Sequence, residues 1–318
     1  MITKPIPYGR QHITDEDIQC VIDALKSDYL TQGPKIKEFE EAFASYVGCK
    51  YAIAVNNATA ALHLAATALD VNPGDKVIVT PLTFAASANC IRYRGGEVVF
   101  CDVEEDTYLM DIKKLSRLLS QSPKGTYKGI VLVDFAGYPA NLEAFRQLAD
   151  EYGLWIIEDA CHAPGGYFID SKGEKQLCGN GNFADVSVFS FHPVKHIATG
   201  EGGMATTNCK ELYEKLCLYR THGITKNPAL LHENHGGWYY EMQELGYNYR
   251  ITDFQAALGI SQLKRADMGL ARRQEIARRY REGLSDLKGV KLPFVSDQVF
   301  HAYHLFIIQV EDRLGLYD

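Results

Sequence analysis

A chain of 318 residues, 46% of them hydrophobic and with no low-complexity tract, can bury a large core in one domain or two. Its 33 Lys and Arg residues are interspersed among 40 Asp and Glu residues, so the formal charge of -7 leaves no basic face for nucleic acid. The first residues lack the apolar core of a signal peptide, and no apolar run approaches the ~18 residues of a membrane span. We therefore expect a cytoplasmic protein with neither membrane nor nucleic-acid partners.

Eight cysteines are scattered along the chain, and none forms a C-x-x-C pair. Several stand in apolar segments, where a thiol packs as a small hydrophobe. This distribution favours buried free thiols over disulfides or a zinc site.

The N-terminal part predicts two amphipathic helices before the first strand. TDEDIQCVIDALKS begins at Thr14 with a capping residue and acids in its first turn. LTQGP interrupts the chain before KIKEFEEAFASYVG, which ends at Gly48. YAIAV then predicts a short strand that runs into the alanine-rich helix NNATAALHLAATAL.

From residue 76 onward, short apolar segments alternate with helical ones. Strands are predicted over 76–81, 96–103, 129–135, 154–160 and 183–191, with intervening helices over 83–95, 110–121 and 141–153. This alternation is typical of a mostly parallel sheet covered on both faces by helices. In such sheets the ligand lies at the carboxyl ends of the strands, so we predict an α/β fold with its site at that edge.

The C-terminal part predicts a hairpin-like return over 201–207, a helix over 210–223 and a polar loop over 226–246. Residues 249–284 predict two helices or one helix bent near Gly269, and HAYHLFIIQV (301–310) resembles a strand. We predict a large domain over 14–248 and a smaller one formed by 1–13 and 249–318. Because a lone strand cannot close a second layer, we expect the smaller domain to be incomplete at its C-terminal end.

The segment FSFHPVKHIATGEGG (189–203) permits three interpretations. His192 and His196 have the i, i+4 spacing of helical metal ligands, but Pro193 lies between them and no third ligand is near, so no metal site is predicted. GEGG lacks the spacing of a phosphate loop and favours a tight turn or a close backbone approach. In the third interpretation Lys195 is desolvated, so that its amine can react with a carbonyl cofactor.

Other segments contain the groups that such a cofactor needs. Asp159 follows an apolar strand and suits a pyridinium nitrogen, although it can equally cap a helix that starts at residue 160. Thr59 and Ser190 offer hydroxyls for a phosphate, although each alone is an ordinary helix-start or strand residue. Phe84 can stack on a flat ring, although a single phenylalanine more often belongs to the core.

Taken together, several motifs resemble one family. NATAALHLA, TPLTFAASAN, VIVTP, IIEDACHAPGG, SVFSFHPVKHIATGEGGM and LGYNYRITDFQAALGISQLK are similar to the DegT-family nucleotide-sugar aminotransferases, which are fold type I pyridoxal-phosphate enzymes. The resemblance covers nearly the whole chain and implies an aspartate aminotransferase-like α/β fold, with a mostly parallel sheet in the large domain. Dehydratase relatives have histidine in place of the lysine, so Lys195 favours a transaminase.

The resemblance implies roles around the ring of pyridoxal 5'-phosphate. Lys195 would form a Schiff base with the cofactor, and Asp159 would pair with its pyridine nitrogen. Phe84 would stack on the ring, and His162 would lie near the phenolic oxygen.

The resemblance also implies a phosphate site. Thr59, the amide of Ala60 and Ser190 would hold the phosphate, and Asn248 would reach into the partner subunit, so a homodimer with shared active sites is expected. Many relatives have Ser-Gly-Thr where residues 57–59 here are Asn-Ala-Thr, which leaves open which amides bind phosphate.

Four details, ALKSDYLTQGP, VDFAGYPANLE, WYYEMQELGYNYRITD and the Asn-Ala-Thr variant, resemble the subgroup that acts in pseudaminic acid synthesis. They imply transfer of the amino group of L-glutamate to C4 of a UDP-linked 4-keto-6-deoxy-N-acetylhexosamine. Two alternatives stay open: another 4-keto or 3-keto sugar nucleotide, UDP- or dTDP-linked, and a regulatory relative that binds the cofactor without turnover. A nicotinamide-dependent enzyme is disfavoured because no G-x-G-x-x-G follows the first strand.

Overall fold

The computed structural model describes residue 7, residues 9–233 and residues 235–317. Part of the predicted segment 1–13 of the smaller domain, namely residues 1–6 and 8, therefore lies outside the described residues, as do residues 234 and 318 within two other predicted segments. The boundaries proposed for the two domains stay a prediction.

The helices of the described residues are α1 (Asp15–Leu25), α2 (Pro34–Val47), α3 (Ala58–Ala68), α4 (Ala86–Tyr93), α5 (Ile112–Ser120), α6 (Leu142–Tyr152), α7 (Lys210–Arg220), α8 (Asp253–Leu263), α9 (Ala266–Leu284) and α10 (Arg313–Tyr317). The strands are β1 (Tyr51–Val55), β2 (Lys76–Val79), β3 (Glu97–Phe100), β4 (Gly129–Val133), β5 (Trp155–Asp159), β6 (Tyr167–Ile169), β7 (Lys175–Leu177), β8 (Val186–Ser190), β9 (Gly203–Thr207), β10 (Ile224–Thr225), β11 (Glu241–Met242), β12 (Val290–Lys291), β13 (Val299–Phe300) and β14 (Gln309–Val310). A 3-10 turn occupies Phe135–Gly137.

A seven-stranded sheet in the order β1-β9-β8-β5-β4-β2-β3 forms the centre of the molecule. The pairs from β8 through β5, β4 and β2 to β3 are all parallel, whereas β9 runs antiparallel to both of its neighbours. Every residue of β4 and β8 is buried, as expected for strands with helices on both faces. The predicted mostly parallel α/β fold is confirmed.

The alternation of side chains along the strands divides the core into two faces. Val131 and Ile157 contribute to a cluster with α3, α4 and α7. Ile130 and Ile156, their neighbours in sequence, contribute to a cluster with α5 and α6 on the opposite face. On that second face a further cluster joins β1, β8 and β9 to α2 and α8.

The C-terminal part agrees with one prediction in outline and contradicts another. The helical region 249–284 does consist of two helices, but the break lies at residues 264–265 and Gly269 lies inside α9. The strand predicted over HAYHLFIIQV is wrong except for its last two residues. Its backbone bonds go to the turn after β4 instead: the Ala302 N–H donates to the Gly137 carbonyl (2.7 Å) and the Leu305 N–H to the Ala136 carbonyl (3.1 Å).

The structure also bears on the cysteines and on membrane-spanning helices. All eight cysteines are free; Cys90, Cys101 and Cys178 are buried, whereas Cys209 is exposed. None of the described helices is long and apolar enough to cross a membrane.

Candidate active site

The predicted residues Asp159, Ser190 and Lys195 meet at the carboxyl edge of the sheet. Asp159 is the last residue of β5, and Ser190 is the last residue of the adjacent strand β8. Lys195 follows in a turn, closed by a hydrogen bond from its own N–H to the His192 carbonyl (2.8 Å). Residues 192–200 contain no helix, so the i, i+4 spacing of His192 and His196 does not place them on one helical face.

The carboxylate of Asp159 is buried and oriented by two donors. It is 5% exposed, and it accepts hydrogen bonds from the Ser87 hydroxyl (2.6 Å) and from the Cys161 N–H (3.2 Å). A turn rather than a helix follows β5, so the alternative role of Asp159 as a helix cap is not realised. Ser87 belongs to α4 and was not predicted from the sequence. Its only sequence signal is its position four residues after Thr83, and the two hydroxyl oxygens lie 2.7 Å apart.

The amine of Lys195 is partly desolvated. Burial lowers the pKa of Lys195, while the neighbouring Cys161 and Asp159 act in the opposite direction. A lysine whose protonated form is disfavoured is better able to react as a nucleophile or base.

His162 is a neutral imidazole with a defined tautomer. The Ala136 N–H donates to its Nδ1 (3.3 Å), so the ring proton is on Nε2. Burial, and after it the charges of Lys195 and His196, lower the pKa of His162 to about 3. At neutral pH this residue therefore offers one N–H donor and carries no charge.

Two further histidines, His196 and His304, lie beside His162, although His304 is far from both in the sequence. The ring of His304 stacks on His162 with centroids 4.3 Å apart, and burial lowers its pKa as well. His196 contacts the Ala302 carbonyl through Nε2 (2.9 Å) and so fastens the segment after β13 to the turn that carries Lys195. The sequence did not indicate His304, because a strand was predicted over its segment. His192, in contrast to His196, is exposed to solvent.

The start of α3 forms what we call the phosphate side of the site, made of Asn57, Thr59, Ala60 and Ser190. Asn57 caps the helix, because its side-chain oxygen accepts a hydrogen bond from the Ala60 N–H (2.8 Å). The Thr59 hydroxyl makes no hydrogen bond to any described residue and is half-buried, and Ser190 is 8% exposed. The amide predicted to bind phosphate at Ala60 is thus engaged by Asn57.

Gly203, in the GEGG segment, allows a close approach between β9 and this helix start. A Cβ atom at Gly203 would lie 2.6 Å from the amide nitrogen of Ala58, too close for any residue larger than glycine at this position. The glycine therefore serves strand packing against α3, in agreement with the prediction of a close backbone approach.

Phe84 and Asn248 are both open to solvent. Phe84 lies just before α4 and is 74% exposed. Asn248 is exposed and pairs with Thr221 through an isolated β-bridge. Their roles toward a ring and toward a partner subunit stay predictions.

The groups at this edge suit pyridoxal 5'-phosphate. What we call the ring side, Lys195, Asp159 and His162, combines a desolvated amine, an oriented carboxylate and a neutral N–H donor. The phosphate side adds a helix N-terminus with hydroxyls, the usual setting for a phosphate group. On this α/β fold the arrangement is that of a pyridoxal-phosphate-dependent enzyme.

The chain belongs to the DegT/DnrJ/EryC1/StrS aminotransferase family, which matches residues 11–315. It is 43% identical over 276 residues to the UDP-4-amino-4,6-dideoxy-N-acetyl-beta-L-altrosamine transaminase of Campylobacter jejuni, covering 86% of this chain and 68% of that protein. The family predicted from the motifs is confirmed.

Solved structures give the same result. Helicobacter pylori PseC, an aminotransferase involved in pseudaminic acid biosynthesis, superposes with a TM-score of 0.85 at 32% identity, covering 98% of this chain and 80% of that one. The PLP form of Spr1654 of Streptococcus pneumoniae superposes with a TM-score of 0.85 at 31% identity, covering 97% of this chain and 79% of that one.

Proposed function

We propose that this aminotransferase moves the amino group of L-glutamate to C4 of a UDP-linked 4-keto-6-deoxy-N-acetylhexosamine, in pseudaminic acid or related amino-sugar biosynthesis. Its cofactor is pyridoxal 5'-phosphate. The observation that carries the chemistry is the desolvated amine of Lys195 beside the oriented carboxylate of Asp159. The similarity to the Campylobacter jejuni transaminase and to PseC supports the choice of sugar. Both substrates are charged metabolites, so the proposal places the reaction in the cytoplasm.

Each residue of the ring side has one task in the proposed mechanism. The cofactor supplies an electron sink for bond breaking at the carbon that bears the amine. Asp159 would hold the ring nitrogen and keep it protonated, and the Nε2–H of His162 would donate to the phenolic oxygen. Lys195 would hold the cofactor between turnovers and, when released, its Nζ takes a proton from the substrate carbon and returns it.

The phosphate side has to change its hydrogen bonds for this function. Thr59 and Ser190 offer hydroxyls, but the Ala60 N–H already donates to Asn57. We propose that the phosphate replaces the side-chain oxygen of Asn57 on this amide. The exchange substitutes a charged acceptor for a neutral one at a helix N-terminus, where negative charge is favourable.

The proposal includes a homodimer in which Asn248 completes the partner's phosphate side. Large apolar side chains are exposed in and near the loop that leads to Asn248, namely Trp238 (72%), Met242 (66%) and Leu245 (77%), and they are available for contacts with a partner subunit.

Mixed dimers test this arrangement. In a dimer of one Lys195→Ala chain and one Asn248→Ala chain, shared sites leave one site with neither change. Co-refolded or co-expressed chains should then be more active than either variant alone. Activity no higher than that of the Asn248→Ala homodimer would show that Asn248 acts within its own subunit, and a monomer in light scattering would contradict the dimer.

The substrate is tested by incubating the protein with glutamate and a panel of UDP- and dTDP-linked 4-keto and 3-keto sugars, followed by mass measurement of the products. Lys195→Ala protein serves as the control. Preferred amination of the UDP-linked 4-keto-6-deoxy-N-acetylhexosamine supports the proposal. Preference for another sugar contradicts the substrate, and formation of 2-oxoglutarate without any aminated sugar favours a regulatory relative.

A further inference from the structure

Two buried acids, Asp134 and Glu158, lie directly behind the active site. Asp134 follows β4, and Glu158 precedes Asp159 in β5; each is 1% exposed. Because side chains alternate along a strand, Glu158 points to the face opposite that of Asp159. One oxygen of each acid and the Cys178 sulfur lie within 4.8 Å of one another.

Half of the oxygens of this pair have hydrogen-bond donors and half have none. Glu158 Oε2 accepts from the Ser187 hydroxyl and from the Gly179 N–H (3.0 Å), and Asp134 Oδ1 accepts from the Ala140 N–H (2.8 Å). Asp134 Oδ2 and Glu158 Oε1 are fully buried and have no partner among the described residues. Each acid therefore has one orphaned oxygen, and the two carboxyl groups are close enough to act on each other's pKa.

Two other acids with little exposure are neutralised by cations. Asp17 is paired with Arg265, and Glu40 with Arg220. Asp134 and Glu158 form no ion pair with any of the described residues. Two ionised carboxylates so close together without a cation would repel each other and be poorly solvated, whereas one proton placed between the orphaned oxygens satisfies both.

The donors decide which acid carries that proton. Glu158 receives two donors on its paired oxygen and Asp134 only one, so the ionised form is better stabilised on Glu158. Burial, and after it the charge of Glu158, raise the pKa of Asp134 well above its usual value. The same burial and both carboxyl groups raise the pKa of Cys178, so the thiol stays protonated.

The turn that Asp134 closes reaches the active site. Its carboxyl group spans the turn to Ala140, and inside the turn Ala136 has a φ of 61°, a strained conformation for a residue with a Cβ that neighbouring contacts must hold. Ala136 N–H is the donor that fixes the tautomer of His162. The carbonyls of Ala136 and Gly137 receive the N–H groups of Leu305 and Ala302, on either side of His304.

We propose that Asp134 is a protonated acid that donates its hydrogen to Glu158, and that this pair is a positioning device that holds the 135–137 turn and thereby the Nε2–H tautomer of His162. The consequence for catalysis rests on the proposed function, which places His162 at the phenolic oxygen. The proton assignment and the tautomer do not depend on it, because both exist without cofactor.

Two spectroscopic measurements on the cofactor-free protein test the proposal. Infrared spectra at neutral pH should contain the C=O band of a buried carboxylic acid, and Asp134→Asn should lose it while staying folded, because an amide can donate to Glu158 and accept from Ala140. Nitrogen-15 NMR of histidine-labelled protein, with the His162 signals assigned by their loss in His162→Phe, should show a single tautomer in the wild type and in Asp134→Asn. Asp134→Ala should lose this single tautomer.

Defined results would overturn the proposal. They are the absence of an acid band at neutral pH, an acid band that persists in Asp134→Asn, a stoichiometric metal ion in elemental analysis, or an unchanged His162 tautomer in folded Asp134→Ala. If Asp134→Ala does not fold, the infrared comparison with Asp134→Asn still decides the shared proton. With cofactor bound, the pH at which the visible band titrates should shift in Asp134→Ala and be restored in Asp134→Asn.

Discussion

The ring side and the phosphate side of the site differ in their hydrogen bonds. In the single chain the ring side is already oriented, whereas the phosphate side must still change its contacts. On the ring side, Asp159 and His162 already receive the hydrogen bonds that orient them, from Ser87, Cys161 and Ala136. On the phosphate side, the Ala60 amide is engaged by Asn57, and Asn248, which is proposed to complete this side in the partner, faces solvent. Proton transfer needs groups fixed in advance, whereas the phosphate is a strong acceptor that can displace a neutral one.

The largest effect is expected from the ring side itself. Lys195→Ala should lower sugar amination by about 10⁴-fold, because the residue proposed to move the proton is removed. The control is Lys210→Ala, a surface lysine paired with Glu214, which should leave the rate unchanged. Borohydride reduction followed by peptide mass measurement should locate the cofactor on Lys195 in the wild type, and attachment to another lysine would contradict the assignment.

Asp159→Asn should lower the rate of the glutamate half-reaction by about 10²–10³-fold, since a neutral amide cannot keep the ring nitrogen protonated. Ser87→Ala removes only one of the two donors to this carboxylate and should cost about tenfold. Stopped-flow absorbance measures both rates. If Ser87→Ala were as damaging as Asp159→Asn, orientation rather than charge would dominate on the ring side.

Acid should destabilise the segment next to the ring side through the desolvated imidazole of His196. The pKa of His196 is lowered to about 3, mainly by burial, whereas an unfolded histidine titrates near 6.5. Between these values the unfolded chain binds more protons, so stability falls as the pH falls. Between pH 7.5 and pH 5.5 the free energy of unfolding should therefore fall less in His196→Gln than in the wild type, by about 1 kcal/mol, measured by urea unfolding. The exposed His192→Gln should leave that loss unchanged, and equal losses in both variants would contradict the assignment.

The phosphate side should respond to cofactor in a way that a simple cap does not. Asn57→Ala removes a helix cap and should lower the unfolding free energy of the cofactor-free protein by about 1 kcal/mol. With cofactor bound the loss should vanish, and the variant should bind the cofactor about fivefold more tightly, because phosphate has replaced Asn57 on the Ala60 amide.

Asn141→Ala is the matched control for that experiment, because Asn141 caps α6 in the same manner. Its loss of stability should be the same with and without cofactor. If Asn57→Ala behaved like Asn141→Ala, Ala60 would not be a phosphate ligand.

The sequence predicted the parts of the site that lie at strand ends. Asp159, Ser190 and Lys195 could be predicted to lie together because apolar strands deliver the residues that follow them to one edge of a parallel sheet. Ser87 and the Asp134–Glu158 pair were missed because each depends on contacts between separate segments, which local patterns do not encode. The strand predicted over 301–310 failed for the same reason: its apolar pattern is that of a strand, but the turn after β4 takes its backbone hydrogen bonds.

The reversed strand β9 has a consequence for how Lys195 can work repeatedly. Ser190 in β8 and Gly203 in β9 are directly paired, and the Phe191 N–H donates to the Gly202 carbonyl (2.9 Å), so the loop that carries the lysine is tied at both ends to the centre of the sheet. The conformational entropy of this loop is therefore lost once, when the chain folds. In the proposed mechanism, Lys195 could then detach and reattach in every catalytic cycle by rotating its own side chain, while its backbone stays in place.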